Sequence, residues 1–206
     1  KSESERLGYK IFHNVVNAAD FGVAQTRQRF ICIGIKKNMA DFTFPKQTHI
    51  EKPNAETKLK RWVTCGDILS DIDFDLPEDS KMEAGSKHKE ILKKIPAGDN
   101  YLYFTKERNH PKPIFVWRSR YWSFLLKLSP ERPSWTIQAS HSNNMGPFHW
   151  KNRFLRINEI KRIQSFEDKH IFIGSFKEQW RQIGNAVPPL LAFHFAKEIK
   201  KQYFKL

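Results

Sequence analysis

The sequence predicts an α/β protein with regular elements near both ends and an irregular, mostly β region between them. Two short, apolar, β-branched runs at residues 10–16 and 29–35 are typical of strands. Prolines interrupt residues 99–150 repeatedly, which indicates loops and short strands rather than helices. Near the C-terminus, Pro188 and Pro189 begin a helix, because a first-turn residue needs no N–H donor.

The N-terminal elements are predicted in order from local composition. A turn at residues 17–22 joins the two strands, and the second strand is apolar enough to be fully buried with its Cys32. Residues 36–60 are polar, rich in lysine and broken by Pro45 and Pro53, so we expect a linker.

The remaining elements follow the same reasoning. Helices are expected near residues 62–69 and 86–95, and Pro96 and Gly98 end the second one. Residues 114–117 and 135–138 have strand-like composition, and residues 159–166 return to a helical pattern. The residues of the last helix that we expect to face a core follow helical spacing: Ala192, Ala196, Ile199 and Tyr203.

Composition narrows the class of protein. The 206 residues include 36 Lys+Arg against 22 Asp+Glu, a formal net charge of +14, so nucleic acid is the first partner to expect. No apolar run approaches the length of a membrane span. Two cysteines, Cys32 and Cys65, exclude a disulfide scaffold and suggest a reducing, cytoplasmic location. The eight histidines have no ligand spacing with the cysteines, so we expect no metal site.

The positive charge is concentrated in one segment. Residues 87–132 carry eleven basic residues and four acidic ones, whereas residues 67–83 carry seven acids and one base. Eight aromatic residues are interleaved with those bases: Tyr101, Tyr103, Phe104, Phe115, Trp117, Tyr121, Trp122 and Phe124. This mixture suits a surface that neutralises phosphates and packs on sugars or bases, although a solvated basic face over an aromatic core would have the same composition.

Three segments carry more specific information. The first motif is residues 17–30, which contains Gln-Thr-Arg-Gln-Arg at 25–29. The second motif is residues 128–137 together with 153–155 and 159–166, and the third is residues 180–192, which contains Gly-Asn-Ala-Val-Pro-Pro at 184–189. In this order and spacing, residues 7–200 resemble the C-terminal half of a bacterial cytosine-C5 DNA methyltransferase of the restriction–modification type, although 36–127 match only loosely.

The resemblance implies a fold and a division into domains. The fold would be the C-terminal portion of a Rossmann-like methyltransferase catalytic domain with a smaller, irregular, mostly β target-recognition domain. Residues 1–45 would belong to the catalytic domain, residues 46–155 to the target-recognition domain, and residues 156–206 to the catalytic domain again. S-adenosylmethionine is the implied cofactor and double-stranded DNA the implied partner, in a bacterial cytoplasm and near the nucleoid.

The resemblance also assigns roles to the first motif. Arg29 would donate hydrogen bonds to the O2 atom of a flipped cytosine, and Arg27 would steady the nucleophile region and the DNA backbone. A guanidinium suits this role because it stays charged and offers a planar fork of donors. Gln25, beside them, is a further candidate for contact with DNA. The alternative is that both arginines are phosphate clamps or structural ion pairs.

The third motif is expected beside the cofactor. Gly184 would permit a tight turn, and Asn185 and Ala186 would lie just before a helix start, where backbone N–H groups attract carboxylates. Asn185 is the better candidate for contact with S-adenosylmethionine. In the second motif, Arg153, Glu159 and Arg162 are more consistent with domain packing than with catalysis.

Three features needed for activity are missing. The family places its nucleophile in a Pro-Cys dipeptide, but Ile31 precedes Cys32 and Thr64 precedes Cys65. The family's Glu-Asn-Val triplet is absent, since His13 precedes Asn14, and no Gly-x-Gly loop exists to hold the cofactor. We therefore expect this chain to be inactive without an N-terminal catalytic half. It would be the smaller subunit of a split enzyme, a fragment of a single-chain enzyme, or a non-catalytic DNA-binding module derived from a methyltransferase.

The DNA sequence that such a protein would recognise cannot be predicted from these residues. Side chains able to fork onto base edges are the candidates for base contact. They are Arg108, Arg118, Arg120, Gln138, Ser140, Ser142, Asn143 and Asn144.

Overall fold

Helices and strands lie toward the two ends of the chain in this computed structural model, which describes residues 2–54, 56–140 and 142–204. The strands are β1 (Tyr9–Asn17), β2 (Gln28–Lys36), β3 (His49–Ile50) and β4 (Lys60–Arg61). The α-helices are α1 (Ser2–Arg6), α2 (Cys65–Leu69), α3 (Lys89–Lys94), α4 (Ile157–Ile163), α5 (Phe176–Asn185) and α6 (Pro189–Tyr203). Each helix expected from the sequence is present, with α2 and α3 shorter than the predicted ranges.

The two N-terminal strands form an antiparallel hairpin in which Val16 lies opposite Arg29. The turn between them is a short 3-10 helix, Ala18–Phe21, ended by Gly22 in the left-handed conformation. The prediction that the second strand is fully buried is wrong, because only alternate residues face the protein. On the other face, Val15 and Phe30 are 57% and 64% exposed and Cys32 is exposed. No element of the described ranges covers this outer face of the hairpin.

Residues 36–60 are more than a linker. β3 and β4 pair in parallel, and the Thr48 N–H donates to the Asp20 carbonyl at 2.9 Å, which fastens the segment to the hairpin turn. The approach is close, since a Cβ on Gly22 would lie 2.8 Å from the His49 ring. Phe42 is buried and packs edge-on against Phe44. Aromatic packing and backbone pairing therefore order a segment whose composition alone indicates a flexible connection.

The middle of the chain is irregular, as predicted, but it is not mostly β. Apart from α2 and α3, the described residues between Arg61 and Ile157 form isolated bridges and short 3-10 helices such as Tyr101–Phe104, with no strand. Instead of pairing as a strand, residues 114–115 direct both N–H groups to the Phe104 carbonyl. The fixed φ of proline and the loss of its N–H donor explain why the apolar residues here pack as a cluster instead of forming a ladder.

Three apolar clusters form the core. One joins α2, α4 and α5 through side chains that include Leu69, Ile160 and Trp180, and it also contains Leu128 and Ile137. A second lies within residues 84–154, and a third holds α6 against the hairpin. Because the first cluster takes side chains from both sides of residue 155, the regions on either side of that predicted domain boundary share a core. The division into domains remains a prediction.

The predicted core face of the last helix is correct only in part. Ile199 and Tyr203 are half-buried, and the Tyr203 ring stacks on Phe42 with 6.4 Å between centroids, but the two alanines do not face the core. Leu191 and Phe195 are buried against Val16 and Phe21, whereas Ala192 and Ala196 are exposed. The larger side chains occupy the core because burial of apolar area favours them over alanine. None of the helices in the described ranges is long and apolar enough to cross a membrane.

Candidate functional site

The three motifs meet at the buried guanidinium of Arg27. Its Nη1 atom donates to the Ile137 carbonyl at 2.9 Å and to Gln25 Oε1 at 3.3 Å. Its Nη2 atom donates to the Gly184 carbonyl at 2.7 Å and to the Ala186 carbonyl at 3.4 Å. One side chain of the first motif thus connects the backbone of the other two motifs, which lie 110 and 157 residues away along the chain.

Gln25 and Gln164 extend this buried network, and both are fully inaccessible to solvent. Gln25 Nε2 donates to Gln164 Oε1 at 3.1 Å, and Gln25 Oε1 also accepts the Ile137 N–H at 3.1 Å. Gln164 Nε2 donates to the Ile183 carbonyl at 2.7 Å, so α4 is tied to α5 as well. Because the Gln25 amide is committed to partners inside the protein, we do not retain it among the DNA contacts.

Gly184 is required for close packing and not for a tight turn. It lies within α5, and a Cβ at this position would lie 2.5 Å from the Gln138 carbonyl oxygen and 2.8 Å from the Ala139 Cα. The helix therefore approaches the backbone of residues 138–139 directly. This approach brings the Gly184 carbonyl and the Ile137 carbonyl within reach of the same guanidinium.

Arg27 and Arg29 differ in their surroundings. Burial, with the neighbouring charge of Arg29, lowers the pKa of Arg27 to about 10, which leaves its guanidinium protonated at neutral pH. Arg29 is half-buried, its pKa is lowered by burial, and its Nη1 atom donates to the Gln28 carbonyl at 2.6 Å. Neither arginine forms an ion pair within the described ranges. Arg29 consequently keeps donors available for a ligand, whereas those of Arg27 are mostly used.

The turn of the third motif does not offer the free N–H groups that its sequence suggests. Asn185 ends α5, and Ala186 donates its N–H back to the Ile183 carbonyl at 3.1 Å. Pro188 and Pro189 have no N–H, and the Leu190 N–H donates to Ser165 Oγ at 3.1 Å. The exposed carboxamide of Asn185 is therefore the polar side chain that this turn presents.

The charged residues of the second motif form ion pairs, of which Arg153–Glu159 is buried and those of Arg162 lie at the surface. Arg153 and Glu159 make a bidentate pair at 2.9 and 2.7 Å, and the Glu159 carboxylate also caps α4 at the Arg156 N–H. Arg162 lies between Asp71 and Asp168. The pattern is that of residues that hold α4 against the segment 71–79.

His149 lies beside the Arg153–Glu159 pair and is completely buried. Its Nδ1 atom accepts the Lys151 N–H, so the remaining proton of the neutral ring is on Nε2, which lies 3.5 Å from Asp73 and 3.7 Å from Glu159. Burial and then the nearby cations lower the pKa of His149 to about 3. The ring is therefore neutral at physiological pH.

The candidate DNA contacts occupy two exposed stretches. Arg118 and Arg120 are exposed, and their guanidinium groups lie 5.7 and 5.8 Å from the ring centres of Trp117 and Phe124. Arg108 is exposed and pairs with Asp99 at 3.2 Å. The polar side chains exposed in the second stretch are Gln138, Ser140, Ser142 and Asn143. Asn144 differs, because it is half-buried and its Oδ1 atom lies 3.2 Å from His88 Nδ1.

The two cysteines have different environments. Cys65 is buried at the start of α2, where burial raises the pKa of its thiol to about 12, so the thiolate needed for nucleophilic attack is suppressed. Cys32 is exposed on the outer face of the hairpin. No three His, Cys, Asp or Glu side chains of the described ranges are grouped so that they could hold a metal ion.

Sequence reasoning missed the role of Gln164 and the packing role of Gly184. A buried glutamine just after a helix end carries no local signal, because its partners, Gln25 and the Ile183 carbonyl, are distant in sequence or belong to the backbone. The pairing of a buried amide with a buried guanidinium becomes visible only when the three motifs are brought together.

Comparisons with known proteins identify the family of this chain. Residues 1–201 match the model of the C-5 cytosine-specific DNA methylase family, and the chain belongs to that family. It is 38% identical over 196 residues to the type II methyltransferase M.SacI of Streptomyces achromogenes, covering 88% of this chain and 49% of that protein. It is 33% identical over 200 residues to the type II methyltransferase M.NgoFVII of Neisseria gonorrhoeae, covering 96% of this chain and 52% of that one.

Solved structures agree on the fold. A protein described as a DNA modification methyltransferase encoded within a prophage (E. coli) superposes with a TM-score of 0.59 at 20% identity, covering 97% of this chain and 62% of that chain. The Dnmt2 methyltransferase of S. pombe gives a TM-score of 0.58 at 13% identity, covering 98% and 60%. The fold is therefore related to that of methyltransferases. The chain spans about half the length of the curated relatives it matches.

Proposed function

We propose that this chain supplies the DNA-recognition and catalytic-support part of a cytosine-C5 DNA methyltransferase of a restriction–modification system. In this proposal the complete enzyme transfers a methyl group from S-adenosylmethionine to cytosine within a specific duplex sequence. The nucleophile and most of the cofactor site come from a polypeptide segment outside this chain. The single observation that carries the proposal is the junction at Arg27, where the three motifs of the family meet through hydrogen bonds of 2.7–3.4 Å.

The junction is proposed to hold Arg29 in position. Arg29 follows Arg27 by two residues on the same strand, and it is half-buried, with no carboxylate partner among the residues that the structure describes. A donor held in place before reaction stabilises charge that develops on a substrate without a cost of reorganisation. Arg29 would direct its donors to the O2 atom of a flipped cytosine as negative charge builds on the ring during attack at C6. Arg27, which is buried, would act as a positioning residue.

In this proposal, the chain supplies only a small part of the cofactor site and does not supply the nucleophile. C-5 methyltransferases use S-adenosylmethionine, which supplies the methyl group when it is bound. The Asn185 carboxamide is the polar side chain of the third motif that would contact it. Cys65 is buried and protonated, and Cys32 lies on the outer face of the hairpin with Ile31 before it. We therefore propose that neither cysteine is the nucleophile and that the isolated chain is inactive.

The uncovered apolar surface supports the need for a further segment. Val15 and Phe30 lie opposite one another on the outer face of the hairpin, and both are more than half exposed. Exposed apolar strands without a pairing or covering element favour association with another chain. In the proposed enzyme, the N-terminal catalytic half covers this surface, either as part of the same polypeptide or as a separate subunit.

The test is reconstitution. This chain is mixed with the N-terminal polypeptide encoded beside or before it, and transfer of tritium from labelled S-adenosylmethionine to duplex DNA is measured. We expect methylation by the mixture and none by either polypeptide alone. Methylation by this chain alone would overturn the division of labour. A mixture that binds DNA tightly without methylating it would favour a DNA-binding module derived from a methyltransferase.

The role of Arg29 is tested in the same mixture. Arg29→Ala removes a positioned donor, so turnover at saturating DNA should fall by roughly 10²–10³. The affinity for DNA should change much less, since phosphate contacts dominate binding. Arg120→Ala is the matched control and should weaken binding while leaving single-turnover methylation of bound DNA nearly intact. Equal losses of turnover in the two variants would contradict the assignment.

A further inference from the structure

A cleft of about 400 Å³ lies between residues of the first and second motifs, and the proposed function assigns no role to it. Two indole rings, Trp62 and Trp135, line it together with the cations Lys52, Arg61 and Arg132. Both tryptophans are half-buried, so each presents part of its ring to the cleft. Its volume lies in the range of small-molecule sites, about 300–1,000 Å³.

The walls of the cleft are fixed by backbone contacts. The Cys65 and Gly66 N–H groups donate to the Arg132 and Pro130 carbonyls at 2.9 and 2.8 Å, which fastens the 130–133 loop to α2. A Cβ on Gly66 would lie 2.5 Å from the Pro130 carbonyl oxygen, so this approach is as close as the backbone allows. Trp62 is held by a hydrogen bond of 2.9 Å from its Nε1 atom to Asp20. The cleft is therefore preformed.

The charges around the cleft favour a single phosphate. Arg61 pairs with Asp67 at 2.7 Å, whereas Lys52 and Arg132 form no ion pair with any residue that the structure describes. Lys52 and Arg132 are therefore the two cations of the cleft that a phosphate could pair with. Glu51 and Glu131 also line the cleft, and their carboxylates disfavour the higher charge of a di- or triphosphate.

The aromatic surface continues out of the cleft. The rings of Trp135 and Trp122 lie 6.1 Å apart between centroids, and Trp122 is 51% exposed. Its neighbour Tyr121 is 82% exposed. The pair Trp135–Trp122 therefore connects the cleft to the basic segment 87–132, whose cations could follow the backbone of a polynucleotide strand.

We propose that this cleft binds an unpaired nucleotide, with the base against the indoles of Trp62 and Trp135 and the phosphate near Lys52 and Arg132. Bases stack on aromatic side chains without sequence preference, and cationic side chains follow the backbone of a single strand. In a duplex, each base is stacked between its neighbours, so both of its faces are covered. The cleft therefore selects single-stranded nucleic acid or a free nucleotide. The site lies in this chain alone and does not depend on the proposed methyltransferase activity.

The experiment uses the isolated chain and its intrinsic tryptophan fluorescence. A single-stranded oligothymidylate of about six nucleotides, within the usual range for one single-strand binding module, is titrated at fixed salt, and deoxythymidine monophosphate is titrated in parallel. If both ligands quench the fluorescence saturably, a free nucleotide is sufficient for binding. If only the oligonucleotide quenches it, the ligand is a single strand. Absence of quenching with both would overturn the proposal.

Variants locate the binding. Trp135→Ala should weaken oligonucleotide affinity by about tenfold or more, as expected for loss of one stacking partner. Trp135→Phe, which keeps an aromatic face, should restore most of it. Arg132→Ala tests the exposed wall without removing a half-buried ring and should weaken binding several-fold, with Arg6→Ala and Phe204→Ala as exposed controls elsewhere. Affinities that fall equally in the controls, or stay unchanged in Trp135→Ala and Arg132→Ala, would overturn the proposal.

A cleft that binds no nucleotide can be distinguished from a failure of the proposed methyltransferase function. Duplex binding with steep salt dependence and reconstituted methylation are measured separately and should survive Lys52→Ala, which removes a cation of the cleft that lies outside the three motifs and outside the segment 87–132. A DNA duplex added as competitor should displace the bound oligonucleotide poorly if the cleft requires an unpaired base. Displacement by duplex at the same concentration as by single strand would contradict that requirement.

Discussion

The junction around Arg27 and the basic segment 87–132 use arginine in opposite ways. At the junction Arg27 is 4% exposed, and the partners of its guanidinium are backbone carbonyls of distant segments and the Gln25 amide. In the basic segment, Arg118 and Arg120 are exposed and lie near aromatic rings. The same side chain therefore joins parts of the fold in one region and remains available to a partner in the other.

The difference predicts whether a substitution in each region should change the stability of the protein or its affinity for DNA. Removal of a buried donor leaves its acceptors without water or protein partners, so the cost appears as lost stability. Removal of an exposed cation costs little stability, but it removes a charge that a phosphate could neutralise. Stability and DNA affinity measured on the same variants therefore separate the two regions.

The largest effect is expected for Arg27→Ala. The substitution leaves the Ile137 and Gly184 carbonyls buried without their donor, so the free energy of unfolding should fall by about 3 kcal/mol or more. The change is measured from the midpoint of urea unfolding of the isolated chain. Gln164→Ala, in the same network, should destabilise it by a smaller amount. A midpoint unchanged in Arg27→Ala would show that the junction does not hold the motifs together.

The next effect is a pH dependence from His149. Its pKa is about 3 in the folded protein and near 6.5 when unfolded, so between these values the unfolded chain binds a proton that the folded chain does not. Stability therefore falls as the pH drops from 7 toward 4, by up to about 1.4 kcal/mol per pH unit. His149→Gln should flatten this slope. The measurement is urea unfolding at several pH values between 7 and 5, and parallel slopes for the two proteins would refute the assignment.

A smaller effect on stability, with a clear effect on binding, is expected for Arg118→Ala and Arg120→Ala. Each should change the free energy of unfolding by less than about 0.5 kcal/mol. Duplex binding by the unsubstituted chain should weaken by roughly a thousandfold between 50 and 200 mM salt if about six phosphates are neutralised. Each substitution should lower the slope of log affinity against log salt by about 1. Binding that is flat across this range would exclude a phosphate-driven surface.

The smallest effect is expected for Cys32→Ala. Cys32 is exposed on the outer face of the hairpin and lies opposite His13, away from the Arg27 junction. Reconstituted methylation should therefore be unchanged within error, measured beside Arg29→Ala as the variant that loses turnover. A loss of activity as large as that of Arg29→Ala would make Cys32 a participant in the reaction.

The parts of the fold that local sequence determines were predictable. The hairpin strands and helices α4 and α6 follow from apolar spacing and from proline at a helix start, and the motifs identify the family. Burial was harder to predict. A strand with two apolar faces has the same sequence pattern whether both faces are covered or one is open, and in β2 the face that carries Cys32 is open. Leu191 and Phe195 rather than Ala192 face the core for a related reason, since the register depends on what lies beneath the helix.

The candidate site was predictable in its residues more than in its connections. The sequence identifies Arg27, Arg29 and Asn185, but it does not reveal that Gln25 is enclosed or that Gln164 reaches it across 139 residues. It also suggests helix-start N–H groups in the third motif that prolines and backbone bonds remove. These features arise from long-range packing, which local propensity does not encode.

The direct approach of α5 to residues 138–139 has an evolutionary consequence. At position 184 no side chain larger than hydrogen can be accommodated without moving a helix, so substitutions there should be eliminated by selection. The exposed positions 120 and 138 carry no such packing restriction on their side chains. A lineage can therefore diversify its surface over many generations while one small residue keeps the underlying framework unchanged.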